Sequence, residues 1–351
     1  MKEVSESTMI DINKELQIRN IEDIRNLKVN LESKILKSKK VVIIPHMGID
    51  FDAFASAIGI SLIASKLQKS STIIVDDPVY KLEQSVKRVM DDAKKHFNIV
   101  NKEKYLKNAD KDDLFILTDV NKSNLICLGE ELKEIDKENI VIIDHHDEGP
   151  TTLDSSLSFI NPASSSASEI IFKLLSSFKI KCTPEVANYL YAGIYLDTNR
   201  LTKNAKSDTF KIIAKLMDNG ADNSVIDAWF SEDFESDKRV LELVSKTDIY
   251  KYSFAVIFAE EECEYTKEEL AKVADFLLKY GVDASFAVGK IDETTVSISA
   301  RSKSKVNVGE VMRELEGGGN QYSAATKLEN ITVEDAGKKL MKIIKPQYII
   351  N

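Results

Sequence analysis

His46-Met-Gly-Ile-Asp50-Phe-Asp52 and Asp144-His145-His146-Asp147 hold three of the four histidines of this chain, and each motif directly follows a short apolar run. Imidazole and carboxylate converging from the ends of buried segments are the ligand set of a divalent cation. Asp119 closes a third apolar run, Phe115-Ile-Leu-Thr-Asp119, and Asp197 stands in the otherwise apolar stretch Ala192-Gly-Ile-Tyr-Leu-Asp197. Burying so many carboxylates together is prohibitive unless cations neutralise them. Two divalent ions sharing a bridging carboxylate would do so, and such a pair activates water for attack on phosphorus. The donor types suit manganese, iron or zinc better than calcium. No cysteine enters the motifs, which argues against a structural zinc site. Taken singly the motifs say little: Asp52 could cap the helix that follows it, and His96 reads as a surface or satisfied core residue. Together, each at the end of an element, they define a metal centre.

The elements that must position these residues alternate along the chain. Val41-Val-Ile-Ile44 reads as a strand buried on both faces. A helix is expected over 53–67, a strand over Ser71–Val75, a helix near 81–95, and a third strand over Leu114–Leu117. A helix over 124–135 and a fourth strand over Ile140–Ile143 follow. Short apolar strands alternating with helices imply a parallel sheet with helices on both faces. In such a sheet ligands bind beyond the carboxyl ends of the strands, where His46, Asp119 and Asp144 fall. Upstream, residues 1–16 are polar and read as loosely ordered, and apolar positions from Ile18 to Ile35 recur at helical spacing.

Further on, Ser166-x-x-Glu169 is a capping box opening a helix to about Ser177. Thr183-Pro184 starts another helix, and Gly220 ends the one that begins near Asp208. The stretch 222–246, with the only tryptophan, reads as a helical connector. Strands at Phe254–Ala259, Ala284–Gly289 and Thr295–Ala300, with helices at 266–279, 307–315 and 333–344, make a second, smaller α/β domain. The expected organisation is a tail and helix over 1–37, a first domain over 38–221, the connector over 222–246 and a second domain over 247–351.

A length of 351 residues agrees with two domains, and 43% hydrophobic with 30% charged residues is ordinary for a soluble globular protein. The net charge of -9 argues against a broad basic surface for long nucleic acid. Cys127, Cys182 and Cys263 form no Cys-x-x-Cys pair and are expected to be reduced thiols. The first residues lack the apolar stretch of a signal peptide, and no run reaches the roughly 20 apolar residues of a membrane helix. The chain is therefore expected to be soluble and cytoplasmic.

His46-x-x-x-Asp50-x-Asp52-Ala53, Asp119, Asp144-His145-His146 and Gly193-Ile194-x-x-Asp197-Thr198 resemble the DHH phosphoesterase superfamily. Gly317-Gly318-Gly319-Asn320 resembles the Gly-Gly-Gly-His loop of the DHH-associated domain. The chain is most similar to the catalytic part of GdpP-type cyclic-di-AMP phosphodiesterases through Asn161–Glu169, Gly193–Thr198 and Ile298–Ser302 with Val306–Met312. Members often carry upstream membrane helices and sensory domains, so the chain is expected to be a stand-alone form or a catalytic fragment. The resemblance implies that His46, Asp50 and Asp119 hold one metal ion. It implies that Asp52, Asp119, His145 and Asp197 hold the other, with manganese the expected metal. Asp119 would bridge, His146 would face the substrate phosphate, and Asp144 would orient a ligand from behind.

In the second domain Arg301 would pair with phosphate, with Lys303 and Lys305 assisting. Gly317, Gly318 and Gly319 would offer backbone N–H groups as an anion nest, and Asn320 would contact substrate. The active site would lie in the cleft between the domains. The activity implied is hydrolysis of cyclic-di-AMP to pApA by water activated between two metals. The partner would be a small nucleotide, and a homodimer is compatible with it. Asn320 replaces the usual histidine and cannot carry a proton. Ala55 replaces a glycine, and Asp147 and Asp208 stand where basic residues are usual. These departures keep three other readings open. One is a hydrolase of nanoRNA or pApA. Another is a phosphatase of 3′-phosphoadenosine-5′-phosphate, and the last is a degenerate nucleotide-binding sensor without activity. A manganese-dependent pyrophosphatase is disfavoured by the glycine loop, and a RecJ-like exonuclease by the acidic charge and short length.

Overall fold

A computed structural model describes residues 6–76, 82–110, 112–231, 234–250, 254–303 and 306–348. It divides into two compact units, Met1–Ser231 and Glu232–Asn351. The first contains α1 (Glu6–Lys37), β1 (Val41–Ile44), α2 (Phe51–Lys66), β2 (Ser71–Ile74), α3 (Gln84–His96), β3 (Ile99–Val100), α4 (Lys102–Leu106) and β4 (Leu114–Thr118). It continues through α5 (Gly129–Leu132), β5 (Ile140–Asp144), β6 (Leu157–Ile160), α6 (Ala167–Ser177), α7 (Pro184–Asp197), α8 (Ser207–Asp218) and α9 (Asn223–Trp229). The second contains α10 (Phe234–Ser245), β7 (Asp248–Tyr250), β8 (Phe254–Phe258), α11 (Lys267–Leu277), β9 (Ala284–Lys290) and β10 (Thr295–Ser302). It ends with α12 (Val308–Arg313), β11 (Gly318–Gly319), β12 (Ser323–Glu329) and α13 (Val333–Tyr348).

The first sheet is parallel throughout, in the order β3-β2-β1-β4-β5-β6. Alternate residues of β1 face opposite layers, as the two-residue period of a strand requires. Val41 and Ile43 join a core with α1, α2, α6 and α7. Val42 and Ile44 join a second core with Tyr105, Leu128 and Leu132 on the other face. Strand order reverses between β1 and β4, which opens a crevice at their carboxyl ends. In the second unit the order is β11-β12-β10-β9-β8-β7, and only β8 and β9 run parallel. Its two faces are covered by α12 and α13 on one side and by α10 and α11 on the other. Among the described residues no helix is long and apolar enough to cross a membrane.

Four local expectations need correction. The polar stretch over 1–16 is helical from Glu6 onward, so α1 begins well before the apolar periodicity does; residues 1–5 lie outside the described residues. The helix expected over 124–135 is broken into a 3-10 turn, Ser123–Leu125, and the short α5. The break at Ile126, which is extended (φ -122, ψ 150), leaves the Leu125 carbonyl free to accept the Met47 N–H at 2.7 Å. Ser166 does cap α6 through the Glu169 N–H, at 3.1 Å. Glu169 does not complete the box: its carboxylate takes Ser165 Oγ at 2.6 Å, Thr209 Oγ1 at 2.9 Å and Lys173 Nζ at 2.6 Å. That buried network fastens α6 to α8. Finally, the segment over 222–246 is two helices, with α9 inside the first unit and α10 inside the second.

Leu27, Leu31 and Ile35 on α1 belong to the first unit's core, with Leu31 fully buried. Leu31→Ala is therefore expected to lower unfolding stability by about 2–5 kcal/mol, the range for deleting a buried leucine. An unchanged denaturant midpoint would mean that α1 is not part of this core.

Candidate metal centre

His46 leaves the end of β1, and its Nδ1 lies 2.9 Å from the carbonyl of Met47. A carbonyl can only accept, so Nδ1 carries the proton and Nε2 is the nitrogen turned inward. Asp50 is the N-cap of α2 and accepts from the Ala53 N–H at 3.0 Å. Asp52, in the first turn of α2, is completely buried. It does not cap its own helix. Its two oxygens accept from the Ala167 and Ser168 N–H groups at 2.7 and 2.8 Å, the first amides of α6. Asp119 follows β4 with a left-handed backbone, φ 60, a conformation aspartate tolerates better than most residues. Its N–H is held by the Ile143 carbonyl of β5 at 3.0 Å.

Asp144 ends β5 and serves as the hub of the double histidine. Its Oδ1 accepts from the His145 N–H at 2.7 Å, the His146 N–H at 3.2 Å and His146 Nδ1 at 2.9 Å. Its Oδ2 accepts from Asn121 Nδ2 at 2.7 Å, and Asn121 also donates to the His146 carbonyl at 3.2 Å. Asp144 is thus spent on orienting its neighbours. Asn121, two residues beyond Asp119, is buried and holds both Asp144 and the His146 carbonyl, yet it falls outside the motifs; an amide just past a strand end is its signal in the sequence. Asp197 arrives from the last residue of α7. One turn earlier, a Cβ on Gly193 would come within 2.3 Å of Ser168 Oγ and 2.8 Å of Asp52 Oδ1. Glycine there lets α7 close on Asp52, which explains its place in the motif.

The six residues expected to hold metal come together in sets. His46 Nε2 lies 3.5 Å from Asp50 Oδ1 and 3.6 Å from Asp119 Oδ2. His145 Nε2 lies 3.8 Å from Asp52 Oδ2, 3.2 Å from Asp119 Oδ1 and 2.9 Å from Asp197 Oδ2. In each set, His46/Asp50/Asp119 and Asp52/His145/Asp197, the donor atoms lie within 4.8 Å of one another, the spacing of ligands around a cation. A third set joins Asp119, His145 and His146, but His146 Nδ1 is already committed to Asp144. Asp119 Oδ1 and His145 Nε2 are buried and have no aligned hydrogen-bond partner. Two buried ligand atoms that face each other without an aligned hydrogen bond are what a cation would satisfy, so these residues fit divalent metal.

The electrostatics agree. Burial, then the charges of Asp119 and Asp197, drive the Asp52 carboxyl well above its ordinary range. Burial likewise raises Asp197, against the pull of His145. At His46 and His145 burial works against the charged form, yet the surrounding carboxylates push both up to about 11. Asp50 stays below the usual carboxylate range because His46 and backbone N–H groups outweigh its burial. With protons as the only cations, the centre would hold them on both histidines.

The second unit's candidates are arranged differently from expectation. Arg301 Nε donates to Asp275 at 3.0 Å and Nη1 to the Ala300 carbonyl at 3.1 Å. The guanidinium edge that a bidentate phosphate would need is partly taken. Gly318 and Gly319 form the edge strand β11 rather than a nest. A Cβ on Gly317 or Gly319 would strike β12 backbone at 2.4 Å, so the glycines permit close strand packing. Asn320 turns the hairpin, its Oδ1 accepting from the N–H groups of Tyr322 and Ser323 at 2.8 and 2.9 Å. The amide Nδ2 can still donate. The Lys303 N–H is held by the Asp283 carbonyl at 3.1 Å, and Lys305 lies outside the described residues. Asp208 pairs with Lys211 at 2.9 Å, and Ala55 is buried in α2.

Residues 40–194 match the DHH family, N-terminal domain, and residues 250–346 match the DHHA1 domain. The cyclic-di-AMP phosphodiesterase GdpP of Bacillus subtilis (strain 168) is 33% identical over 91% of this chain and 49% of that protein. The cyclic-di-AMP phosphodiesterase PdeA of Listeria monocytogenes is 29% identical over 90% of this chain and 48% of that protein. The chain spans about half the length of these curated relatives. An exopolyphosphatase-related protein from Bacteroides fragilis has the same fold. Its structure aligns with a TM-score of 0.74 at 22% identity, covering 92% of this chain and 96% of that one.

Two outcomes follow from this geometry. Asp144→Asn places an amide against the donors of His145 and His146, and should weaken manganese affinity about 10–100-fold, as loss of a ligand-orienting partner does. Calorimetry that finds wild-type affinity in the folded variant would remove Asp144 from the centre. Because the raised histidine pKa values keep both rings protonated near neutral pH, metal uptake must displace those protons. Titrations in buffers of different ionisation enthalpy should show about one proton released per histidine at pH 7, and affinity rising with pH. No proton release at pH 7 would contradict the electrostatic account.

Proposed function

The chain belongs to the DHH family, and we propose that it is a metal-dependent phosphodiesterase that opens cyclic-di-AMP to pApA. The observation that carries the reading is two adjacent groups of histidine and aspartate donors, with buried Asp119 Oδ1 and His145 Nε2 facing each other at 3.2 Å between them and without an aligned hydrogen bond. His46, Asp50 and Asp119 would hold one divalent ion, and Asp52, Asp119, His145 and Asp197 the other, with manganese the metal we favour. Bound there, the pair would lower the pKa of water and neutralise charge on a phosphate.

The protein's own groups supply the rest. Asp119 belongs to one donor set and lies 3.2 Å from the histidine of the other, which suits it to bridge. His146 is half exposed, and the Asp144 carboxylate raises its pKa and fixes its Nδ1–H. Its Nε2–H is then free to donate to the phosphate or to give a proton to the leaving oxygen. The reaction balances simply: the water oxygen joins phosphorus, the P–O3′ bond breaks, and the 3′ oxygen takes a proton. Asp144 and Asn121 would hold His146 in place.

The choice of cyclic-di-AMP draws on the two curated relatives and on the resemblance of Asn161–Glu169 and Gly193–Thr198 to that group. Asn320 bears on it directly, since its oxygen is occupied and only its N–H donors remain to read a phosphate or base. A manganese-dependent panel of cyclic-di-AMP, pApA, other short dinucleotides and 3′-phosphoadenosine-5′-phosphate tests it. Cyclic-di-AMP should turn over fastest, with pApA accumulating. Preference for linear pApA or for 3′-phosphoadenosine-5′-phosphate would overturn the substrate, and tight binding of cyclic-di-AMP without turnover would make the chain a sensor. Asp119→Ala should lower hydrolysis by about a thousandfold, the rate equivalent of several kcal/mol. Near wild-type hydrolysis in that variant would sink the bridging role.

A further inference from the structure

Phe51 is the single residue between Asp50 and Asp52, and it is fully buried. Its ring does not pack only within the helical core. It stacks on Trp229, with centroids 5.4 Å apart and planes at 18°, and touches Phe230 at 5.6 Å. Phe230 in turn packs on Tyr195 at 5.5 Å, two residues before Asp197. Trp229 and Phe230 end α9, and the chain leaves the first unit at the next residue, Ser231.

That exit is bolted down from another side. Arg88 Nη1 donates to the carbonyls of Ala228 and Trp229 at 2.5 and 2.8 Å and to Ser231 Oγ at 2.8 Å, and Nη2 donates to the Ser231 carbonyl at 2.8 Å. The last carbonyls of a helix lack partners of their own, and a cation suits the negative end of its dipole. One guanidinium thus fixes α9 to α3 at the point where its aromatic pair meets Phe51.

We infer that Trp229, Phe230 and Arg88 are positioning residues for the metal centre, holding the ligand-bearing turn of α2 through Phe51. This rests on the metal-centre reading. Asp50 serves the His46 set and Asp52 the His145 set. Tilting the turn that carries Phe51 would disturb both sets at once, because packed side chains shift together rather than deform singly. The chain's exit from the first unit and its metal affinity are therefore linked by one aromatic stack.

The test compares manganese affinity, by calorimetry, in the full chain and in Trp229→Ala, Trp229→Phe and Arg88→Gln. It is made at a temperature where circular dichroism shows each variant folded. Trp229→Ala should weaken binding of at least one ion about tenfold, the effect expected when a ligand loses its support, and Trp229→Phe should restore most of it. Arg88→Gln, which removes a surface clamp and no core volume, should show a smaller loss. A purely structural role would lower the melting temperature and leave the affinity of the folded protein unchanged. Wild-type affinity in folded Trp229→Ala overturns the inference; if that variant does not fold, wild-type affinity in Arg88→Gln does so. A wild-type chain that takes up no manganese overturns the metal-centre reading, and this inference with it.

Discussion

Asp52, Asp119 and Asp144 lie almost wholly out of water, Asp119 and Asp144 at the carboxyl ends of the neighbouring parallel strands β4 and β5 and Asp52 in the first turn of α2. A buried carboxylate is tolerated only when its charge and lone pairs are met. Each of the three is met differently. Asp144 is satisfied by N–H groups of His145, His146 and Asn121. Asp52 is satisfied in part by the first amides of α6, whose dipole favours negative charge. Asp119 faces the Nε2 atoms of His145 and His46 at 3.2 and 3.6 Å, with no aligned hydrogen bond to its Oδ1. The fold around them is organised by this requirement. It explains why α6 begins against α2, why α7 carries Gly193 at the contact, and why Asp119, just after β4, is left-handed.

The sequence makes one part of this plain and hides another. Strands β1, β4 and β5 are apolar, fully buried runs with histidine or aspartate at or just beyond their ends, so their burial and the ligands there can be read directly. The edge strand β6, Leu157–Ile160, is only partly buried and carries Ser158, so it lacks that signal. β12, Ser323–Glu329, includes two alanines, a lysine and a glutamate, residues depleted in strands; pairing with β10 overrides that preference. The partners of Asp52 stand more than a hundred residues away in the chain. No local pattern could show that its carboxylate caps a different helix. Glu169 is the reverse case. The local pattern is a capping box, but three side-chain donors around it in the fold take the carboxylate instead.

In the second unit the same contrast bears on function. A triple glycine suggests exposed amides, yet Gly317 and Gly319 have backbone where a Cβ would stand. Gly309 on α12 meets the Asn320 carbonyl in the same way, within 2.8 Å of where a Cβ would be. Close approach of backbone segments calls for glycine at 309, 317 and 319, and at Gly319 a positive φ of 135 calls for it as well. The turn that results fixes Asn320 by its own oxygen, so the residue presents a donor in a defined direction. A histidine at that position could carry a proton; this asparagine can only donate through Nδ2.

The division between residues that can hold metal and residues that hold them is sharpest at the double histidine. His145 and His146 are consecutive, with ring centroids 4.3 Å apart, yet they face different tasks. One carboxylate oxygen of Asp144 collects both their backbone N–H groups and the His146 ring, so the peptide turn is fixed before either imidazole is placed. His145 Nε2 is thereby left buried among Asp52, Asp119 and Asp197, while the His146 ring stays half in solvent. Had Asp144 been a ligand itself, its oxygens would be turned to a cation and the turn would lose its anchor. Asp-His-His is therefore better understood as one anchor followed by two arms than as three equivalent donors. The same logic applies at Asp50-Phe51-Asp52, where the middle residue anchors and the flanking carboxylates reach.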